Sequence, residues 1–368
     1  MIHLIEMLIP GGYRAISVLR LLDYLSVQAV ASAMTALALS LFLMPRFIWY
    51  LQRRGMVDQL RETGVPSAYD KAGTPVMGGA VMLACILFSC LVWADLTNRY
   101  ILIILLGMLW FGAIGLADDR AKWRARSGNK GMSEPRKLML QAAYALLLTG
   151  IVVSPLTPWP LRETGTLYIP FVKTAVLSSV WWYAPTVFFF VLLVGNAVNI
   201  TDGLDGLAIV PSVLAVTVLG VFAYLMGNVI WARYLFYPLL PGAGDLIIFC
   251  AAFAGAGVGF LWFNAYPAQV FMGDAGSLAI GGCLATLSVL VKQEALFVLL
   301  GGLFLFEAFT SQVQDKIAVR WLGRRLFYRA PLHHHMQHVG LAEPKVVVRL
   351  WIVATILALA SIATIKLR

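Results

Sequence analysis

Ten apolar stretches, each near the length of a membrane-crossing helix, dominate the sequence. They cover residues 25–50, 76–95, 100–117, 137–155, 176–198, 206–227, 244–263, 277–292, 295–314 and 346–365. A helix needs about 20 predominantly apolar residues to cross the hydrocarbon. The division between the eighth and ninth stretches rests on Lys292-Gln293-Glu294 alone. Composition agrees: 60% of residues are hydrophobic and 12% charged, whereas a soluble domain carries about 25% charged residues. The expected fold is an all-α polytopic integral membrane protein of about ten transmembrane helices, with residues 1–368 forming a single transmembrane domain. A disordered chain, a secreted disulfide scaffold and a nucleic-acid-binding domain are excluded as readings of the whole.

The formal net charge is +10. Its distribution sets an orientation, because cytoplasmic loops collect Lys and Arg. One set of alternate loops, spanning Arg46 to Lys71, Arg120 to Lys137 and Lys316 to Arg349, holds 19 basic residues, and the other set with both termini holds nine. The richer side is expected to be cytoplasmic and both termini periplasmic. No nucleic acid is needed to explain the charge, which would also attract anionic substrates and lipids. Cys85, Cys90, Cys250 and Cys283 lie inside apolar runs without metal-ligand spacing and read as small core residues. The N-terminus, MIHLIEMLIPGGYR, lacks a basic n-region and a cleavage site, so no standard signal peptide is expected.

The acids and histidines gather in the loops of the basic side. Asp118-Asp119 follows the third span, and a carboxylate pair at the C-terminal end of a helix opposes the helix dipole. A cation should offset it, either Lys and Arg or a metal. Hard oxygen ligands on loops suit Mg²⁺, which takes one or two carboxylates together with substrate phosphates. Asn199-x-x-Asp202-x-x-Asp205 follows the fifth span. Its polar side chains share a face if helical, while Gly203 and Gly206 permit a tight turn against a ligand. The plainer alternative is a cap on the sixth span. Phe271-Met-Gly-Asp274 follows the seventh span, placing a ring that could stack a base beside a carboxylate. The alternatives there are an interfacial anchor for Phe271 and a helix cap for Asp274. His333-His334-His335 follows the ninth span and suits phosphate contacts or proton transfer near neutral pH better than zinc. Glu307 is an acid inside an apolar span, either functional or paired with a neighbour. Walker, dinucleotide-binding and nucleophile-elbow motifs are absent from the sequence.

Together these segments resemble the phospho-N-acetylmuramoyl-pentapeptide transferases, a branch of the polyprenyl-phosphate N-acetylhexosamine-1-phosphate transferases. The resemblance is carried by KAGTPVMGG (Lys71–Gly79), Asp118-Asp119, NAVNITDGLDGLA (196–208), NAYPAQVFMGDAGSLAIGG (264–282), PLHHH (331–335) and Glu343-Pro-Lys-Val-Val-Val-Arg349. It runs from about Leu25 to the end, with Val76, Ala275 and Met336-Gln337 departing from the usual pattern. It implies a Mg²⁺-dependent enzyme of the bacterial inner membrane, one transferase domain with its active site on the cytoplasmic face. The implied reaction passes phospho-MurNAc-pentapeptide from UDP-MurNAc-pentapeptide to undecaprenyl phosphate, giving lipid I and UMP. A homodimer is implied as well. By the same resemblance Asp274 is the Mg²⁺ ligand and Asp118 and Asp119 the essential acid pair. Asn199 and Asp202 belong to the nucleoside and phosphate region, and Gly203, Leu204, Asp205 and Phe271 to the uracil pocket. Lys71, Lys130, Asn264, His333, His334 and His335 fill further active-site positions. A sibling enzyme using UDP-GlcNAc is the nearest competing reading. A secondary transporter would place charges near the midplane between internal repeats, and these acids lie at one face.

Overall fold

The computed structural model describes residues 21–57, 73–125, 131–321 and 323–367. The apolar stretches are helical. In chain order the helices are α1 (Leu25–Arg53), α2 (Gly78–Trp93), α3 (Arg99–Arg124), α4 (Glu134–Val153), α5 (Val180–Thr201), α6 (Ile209–Gly227), the short α7 (Val229–Tyr234), α8 (Leu246–Asn264) and α9 (Gly273–Leu290). There follow α10 (Glu294–Leu300), α11 (Gly302–Gln312), the short α12 (Leu332–His338) and α13 (Glu343–Ala363). A π-helical segment, Val313–Val319, continues α11, short 3₁₀ turns lie at Leu161–Glu163, Ala243–Asp245 and Thr364–Lys366, and one two-residue hairpin pairs β1 (Thr166–Leu167) with β2 (Leu177–Ser178).

Among the described residues, eight helices are long and apolar enough to cross a membrane, and α10 with α11 makes a ninth if taken as one broken span. The second expected span, α2, is only 16 residues long. It starts late because Met77 holds a left-handed backbone, φ 81°, two residues after Pro75. The ninth span bends by 79°. Its break falls at Gly301-Gly302, where the Phe297 ring packs in the space a Cβ at 301 would fill. Helix kinks have local causes of this kind.

Helix α9 is the axis of the bundle. Every residue from Ala275 to Leu290 is buried, as befits a helix apolar on all sides, and α2, α3, α5 and α6 surround it. Small residues permit this close packing. Gly276 meets Gly79, Gly281 meets Gly195, and Gly282 lies under the Phe111 ring. On the far flank α1 runs along α8, with Gly259 against Ser40. Ser32 and Ser89 share a 2.9 Å hydrogen bond there, and Ser32 donates to the Ile248 carbonyl at 3.1 Å.

The two ends of the bundle differ. At one end the α9–α10 turn is sealed: Lys292 is fully buried, its ammonium sits over the Trp159 and Tyr183 rings at 4.1 and 3.9 Å, and it donates to the Thr166 carbonyl at 3.1 Å. At the other end the C-termini of α3 and α5, the N-termini of α4 and α9, and α12 bring their polar residues together.

Candidate active site

Helix α3 does not stop at its acid pair. It runs one more turn to Arg124, so Asp118 and Asp119 are held inside a helix and buried. Asp119 accepts the backbone N–H groups of Asp274 and Ala275 at 3.0 and 2.9 Å. These are among the first N–H groups of α9, which have no partner within their own helix. Asp119 is thus a cap supplied from another helix, with a carboxylate at the positive end of the α9 dipole. The fit requires glycine at 273: φ is +75°, and a Cβ there would come within 2.6 Å of Asp119 Oδ2.

Asp118 accepts the Met132 N–H at 2.7 Å. Its Oδ2 also pairs with Lys122 at 2.8 Å and Lys137 at 3.2 Å. The same two lysines reach Asp274, Lys122 at 3.2 Å and Lys137 at 2.7 Å. Asn199 donates to Ser277 Oγ at 2.8 Å and to Asp274 Oδ1 at 3.4 Å. One carboxylate therefore braces the metal-candidate helix, one anchors the lysines, and Asp274 faces inward between them. Its side chain is 17% exposed against 1% for Asp118, so Asp274 is the acid that an incoming anion or cation can reach.

Oxygens of Asp118, Asp119 and Asp274 all lie within 4.8 Å of one another. Among the described residues, three carboxylates against two paired ammonium groups leave an excess of negative charge. Hard oxygen donors with that excess fit Mg²⁺ or a similar hard cation, which accepts one or two carboxylates and fills its shell with phosphate or water. The lysines fit the phosphates themselves.

The remaining motif residues fall into two groups. After α5 ends at Thr201, Asp202 to Gly206 form a turn rather than a continued helix, so Asn199, Asp202 and Asp205 do not share one helical face. Asp205 and Asn264 are largely engaged in bracing that turn. Asp205 Oδ2 accepts the Ala268 N–H at 3.1 Å, and the Asp205 N–H goes to Glu343 Oε1 at 3.0 Å. Asn264 accepts from Gly206 N–H at 3.0 Å and donates to the Val270 carbonyl at 2.8 Å. Leu204 is buried against α13. Neither Asp202 nor Asp205 caps the sixth span, whose N-cap is Ala208. Phe271 is half-buried, and its backbone ties the loop to the start of α2 through Pro75 and Gly78.

The histidines separate. His333 is buried on α12, its Nδ1 lies 3.1 Å from Glu307 Oε2, and its Nε2 faces Gly203. His334 pairs with Gln337 at 3.1 Å. Burial, then the adjoining His333, pushes its pKa down to about 4. His335 stacks on Tyr328 with ring centroids 5.7 Å apart. Lys71 and Lys130 lie outside the described residues.

Lys122 and Lys137 are the site residues that the sequence reading did not single out. In sequence they served only to set orientation. The i, i+4 spacing from Asp118 to Lys122 was a usable signal, because such positions face each other on a helix. Lys137 had none, since its partners are 19 and 137 positions away.

A helical bundle with a carboxylate and lysine cluster at one end, open through Asp274, defines a polytopic membrane protein with a site for phosphates and a hard cation. The family model for glycosyl transferase family 4 matches residues 101–292, more than half of the chain and including all three aspartates. The chain belongs to glycosyl transferase family 4, which includes polyprenyl-phosphate hexosamine-1-phosphate transferases. It is accordingly a multi-pass membrane enzyme that transfers a sugar 1-phosphate from a nucleotide sugar to a polyprenyl phosphate, in a family whose members typically depend on a divalent metal.

Proposed function

We propose that this enzyme transfers phospho-MurNAc-pentapeptide from UDP-MurNAc-pentapeptide to undecaprenyl phosphate, giving lipid I and UMP. This is the first membrane step of peptidoglycan synthesis, and through it the enzyme serves wall growth, cell shape and division. In this reading residues 1–368 form one transferase unit in the bacterial inner membrane, a homodimer with cytoplasmic sites and periplasmic termini. The observation that carries the choice of donor is the placement of the PLHHH segment. It lies outside the matched family residues, yet His333 packs onto Gly203 of the NITDGLDG turn. A segment that distinguishes this branch in sequence therefore adjoins the turn assigned to the nucleotide.

In the reaction an oxygen of the lipid phosphate bonds to the β-phosphorus of the donor. The bond from that phosphorus to the bridging oxygen breaks, and the oxygen leaves with UMP. Catalysis of this kind is mostly positioning and charge neutralisation. Lys122 and Lys137, bound to Asp118 and Asp274 at 2.7–3.2 Å, can turn from carboxylate to phosphate oxygens. Asp118 retains them, which suits it better to holding ammonium groups than to taking a proton. Asp274, with Asp118 and Asp119 beside it, would hold Mg²⁺, which supplies neutralisation of the leaving phosphate. Asn199 orients Asp274, and Asp202, Gly203, Leu204, Asp205 and Phe271 form the nucleoside wall. Asn264 keeps that wall in place. Lys71, Lys130, His334 and His335 complete the donor side.

The test is UMP release by the purified enzyme with Mg²⁺, undecaprenyl phosphate and defined UDP-sugars. Turnover of UDP-MurNAc-pentapeptide with little from UDP-GlcNAc is expected. Preference for UDP-GlcNAc would move the enzyme to the sibling branch.

A further inference from the structure

We infer that Glu307 is a positioning residue for His333, holding the ring so that Nε2 is presented to the Gly203 turn as a proton-bearing donor to the bound substrate's phosphates; this rests on the donor reading above. Glu307 is fully buried and sits on α11, directly after the 79° bend. One of its oxygens, Oε2, lies 3.1 Å from His333 Nδ1 and 3.4 Å from the His333 backbone N–H. An ionised carboxylate only accepts hydrogen bonds, so the proton on that contact belongs to Nδ1. That fixes the ring. The other nitrogen is left with a lone pair in the neutral form and with an N–H in the cationic form.

His333 Nε2 is buried and has no hydrogen-bond partner. A buried polar atom without a partner is costly in a folded protein and calls for an explanation. What it faces supplies one: a Cβ at 203 would fall on Nε2, so the absence of a side chain at Gly203 is what leaves room for the ring. With Nδ1 held against Glu307, Nε2 is the ring nitrogen left to meet an arriving diphosphate. The pair thereby converts an acceptor at Nε2 into a donor when an anion is bound. Other charged or titratable groups face this ring from each packed element. His334 lies beside it on α12, with ring centroids 4.3 Å apart. Asp202 and Asp205 lie on the opposing turn, and Glu343 on α13 bonds to the Asp205 N–H. Arg329, in the segment before α12, acts electrostatically on the adjoining His334, and Glu307 holds the hydrogen bond to His333 Nδ1.

Glu307→Gln separates this role from a packing role. The amide has nearly the same volume, and its carbonyl can still accept from Nδ1, but the charge is gone. The pH profile of kcat/KM for UDP-MurNAc-pentapeptide is measured for wild type, Glu307→Gln, Glu307→Asp and His333→Gln, each with a melting curve. On this proposal, removing the Glu307 charge should move the alkaline limb to lower pH by about one unit or more. Glu307→Gln should therefore lose about tenfold or more at pH 8 and little at pH 6. Glu307→Asp should keep the limb near its wild-type position. In His333→Gln that limb should vanish, and adding Glu307→Gln should change nothing further. A limb that stays in place in Glu307→Gln, or effects of the two substitutions that multiply, overturns the proposal. The ring is also read without turnover. The chain has five histidines, so ¹⁵N-histidine spectra, with His333→Gln for assignment, should show Nδ1 protonated at high pH. An unprotonated Nδ1 refutes the dyad. If wild type releases no UMP from any donor, the activity reading fails, and these spectra still decide the pair.

Discussion

Asp119 offers a sharp test of how the site is built, because its two oxygens are occupied by N–H groups of another helix. Asp119→Ala leaves both N–H groups without an acceptor, and Ala275 is fully buried. An orphaned buried donor costs about 1–3 kcal/mol, so the two together cost roughly 2–6 kcal/mol. An opposing effect must be weighed. Removing one of three neighbouring carboxylates relieves repulsion, and two unit charges at such a separation interact by roughly 3–4 kcal/mol at an effective dielectric of 20. The lysines already offset part of that. Asp119→Ala alone is therefore ambiguous, and Asp119→Asn resolves it. Asparagine relieves the same repulsion but keeps one acceptor oxygen. The alanine variant should be less stable than the asparagine variant by about 1–3 kcal/mol, the value of one further orphaned donor. Chemical or thermal unfolding of both purified variants in detergent, without substrate, reads the difference. Both should lose turnover, since each loosens Asp274. An alanine variant as stable as the asparagine variant would refute the capping role and leave Asp119 as a charge alone.

Three further outcomes follow from the geometry. Asp274→Ala should abolish UMP release while the protein inserts and stays folded, since it removes the reachable acid of the cluster and caps nothing; near-normal turnover by a folded variant contradicts its metal role. Phe271→Ala should raise the apparent binding constant of the UDP-sugar by about one to two decades, because stacking a base is worth about 1–3 kcal/mol. Its effect on undecaprenyl phosphate should be much smaller, and equal damage to both substrates would make Phe271 a loop anchor instead. His334 has a folded pKa lowered by burial to about 4 from the ordinary histidine value of 6.5. The unfolded chain therefore binds more protons between those values, and stability falls as pH drops through that window. His334→Gln should flatten this acid-side slope in unfolding measurements at pH 4 to 6.5, and an unchanged slope rules the cause out.

The spans and the grouping of acids at one end were legible because each depends on local sequence: a run of apolar residues, then a polar loop. Three features were not. The bend at Gly301 depends on the Phe297 ring occupying a space on a neighbouring turn, and an apolar run gives no sign of direction. The role of Asp119 was hidden because its partners are backbone groups of residues 274 and 275, and any residue type has an N–H. Glu307 illustrates the third. Sequence left it between function and a local pair, and the structure shows the pair with His333, 26 residues away in the chain. Asn264 and Asp205 were legible as motif residues, but the division between contacting a ligand and bracing the turn belongs to hydrogen bonds that sequence does not carry.

The cluster's geometry is set by backbone contact between two helices more than by the acids themselves. Left alone, three carboxylates this close would move apart. Helix α3 is held against α9 where Gly115 meets the Asp274 carbonyl and the Ala275 Cα, at separations that leave no room for a Cβ. Gly115 lies one turn before Asp118 and Asp119, on the face that α9 covers. Farther along the same pair, Gly107 lies against Thr286 Oγ1 and the Tyr144 hydroxyl, which bond to each other at 2.9 Å. Small residues are the usual means of close approach between membrane helices. Here they bring the acid-bearing end of one helix onto the N-terminus of the other, where the dipole of α9 and the ammonium groups of Lys122 and Lys137 offset the repulsion. The site is thus held under electrostatic load by apolar packing, and an incoming phosphate meets acids fixed in place with only the lysine side chains left to turn, and such preorganisation is the condition under which charge stabilisation contributes most to a phosphoryl transfer.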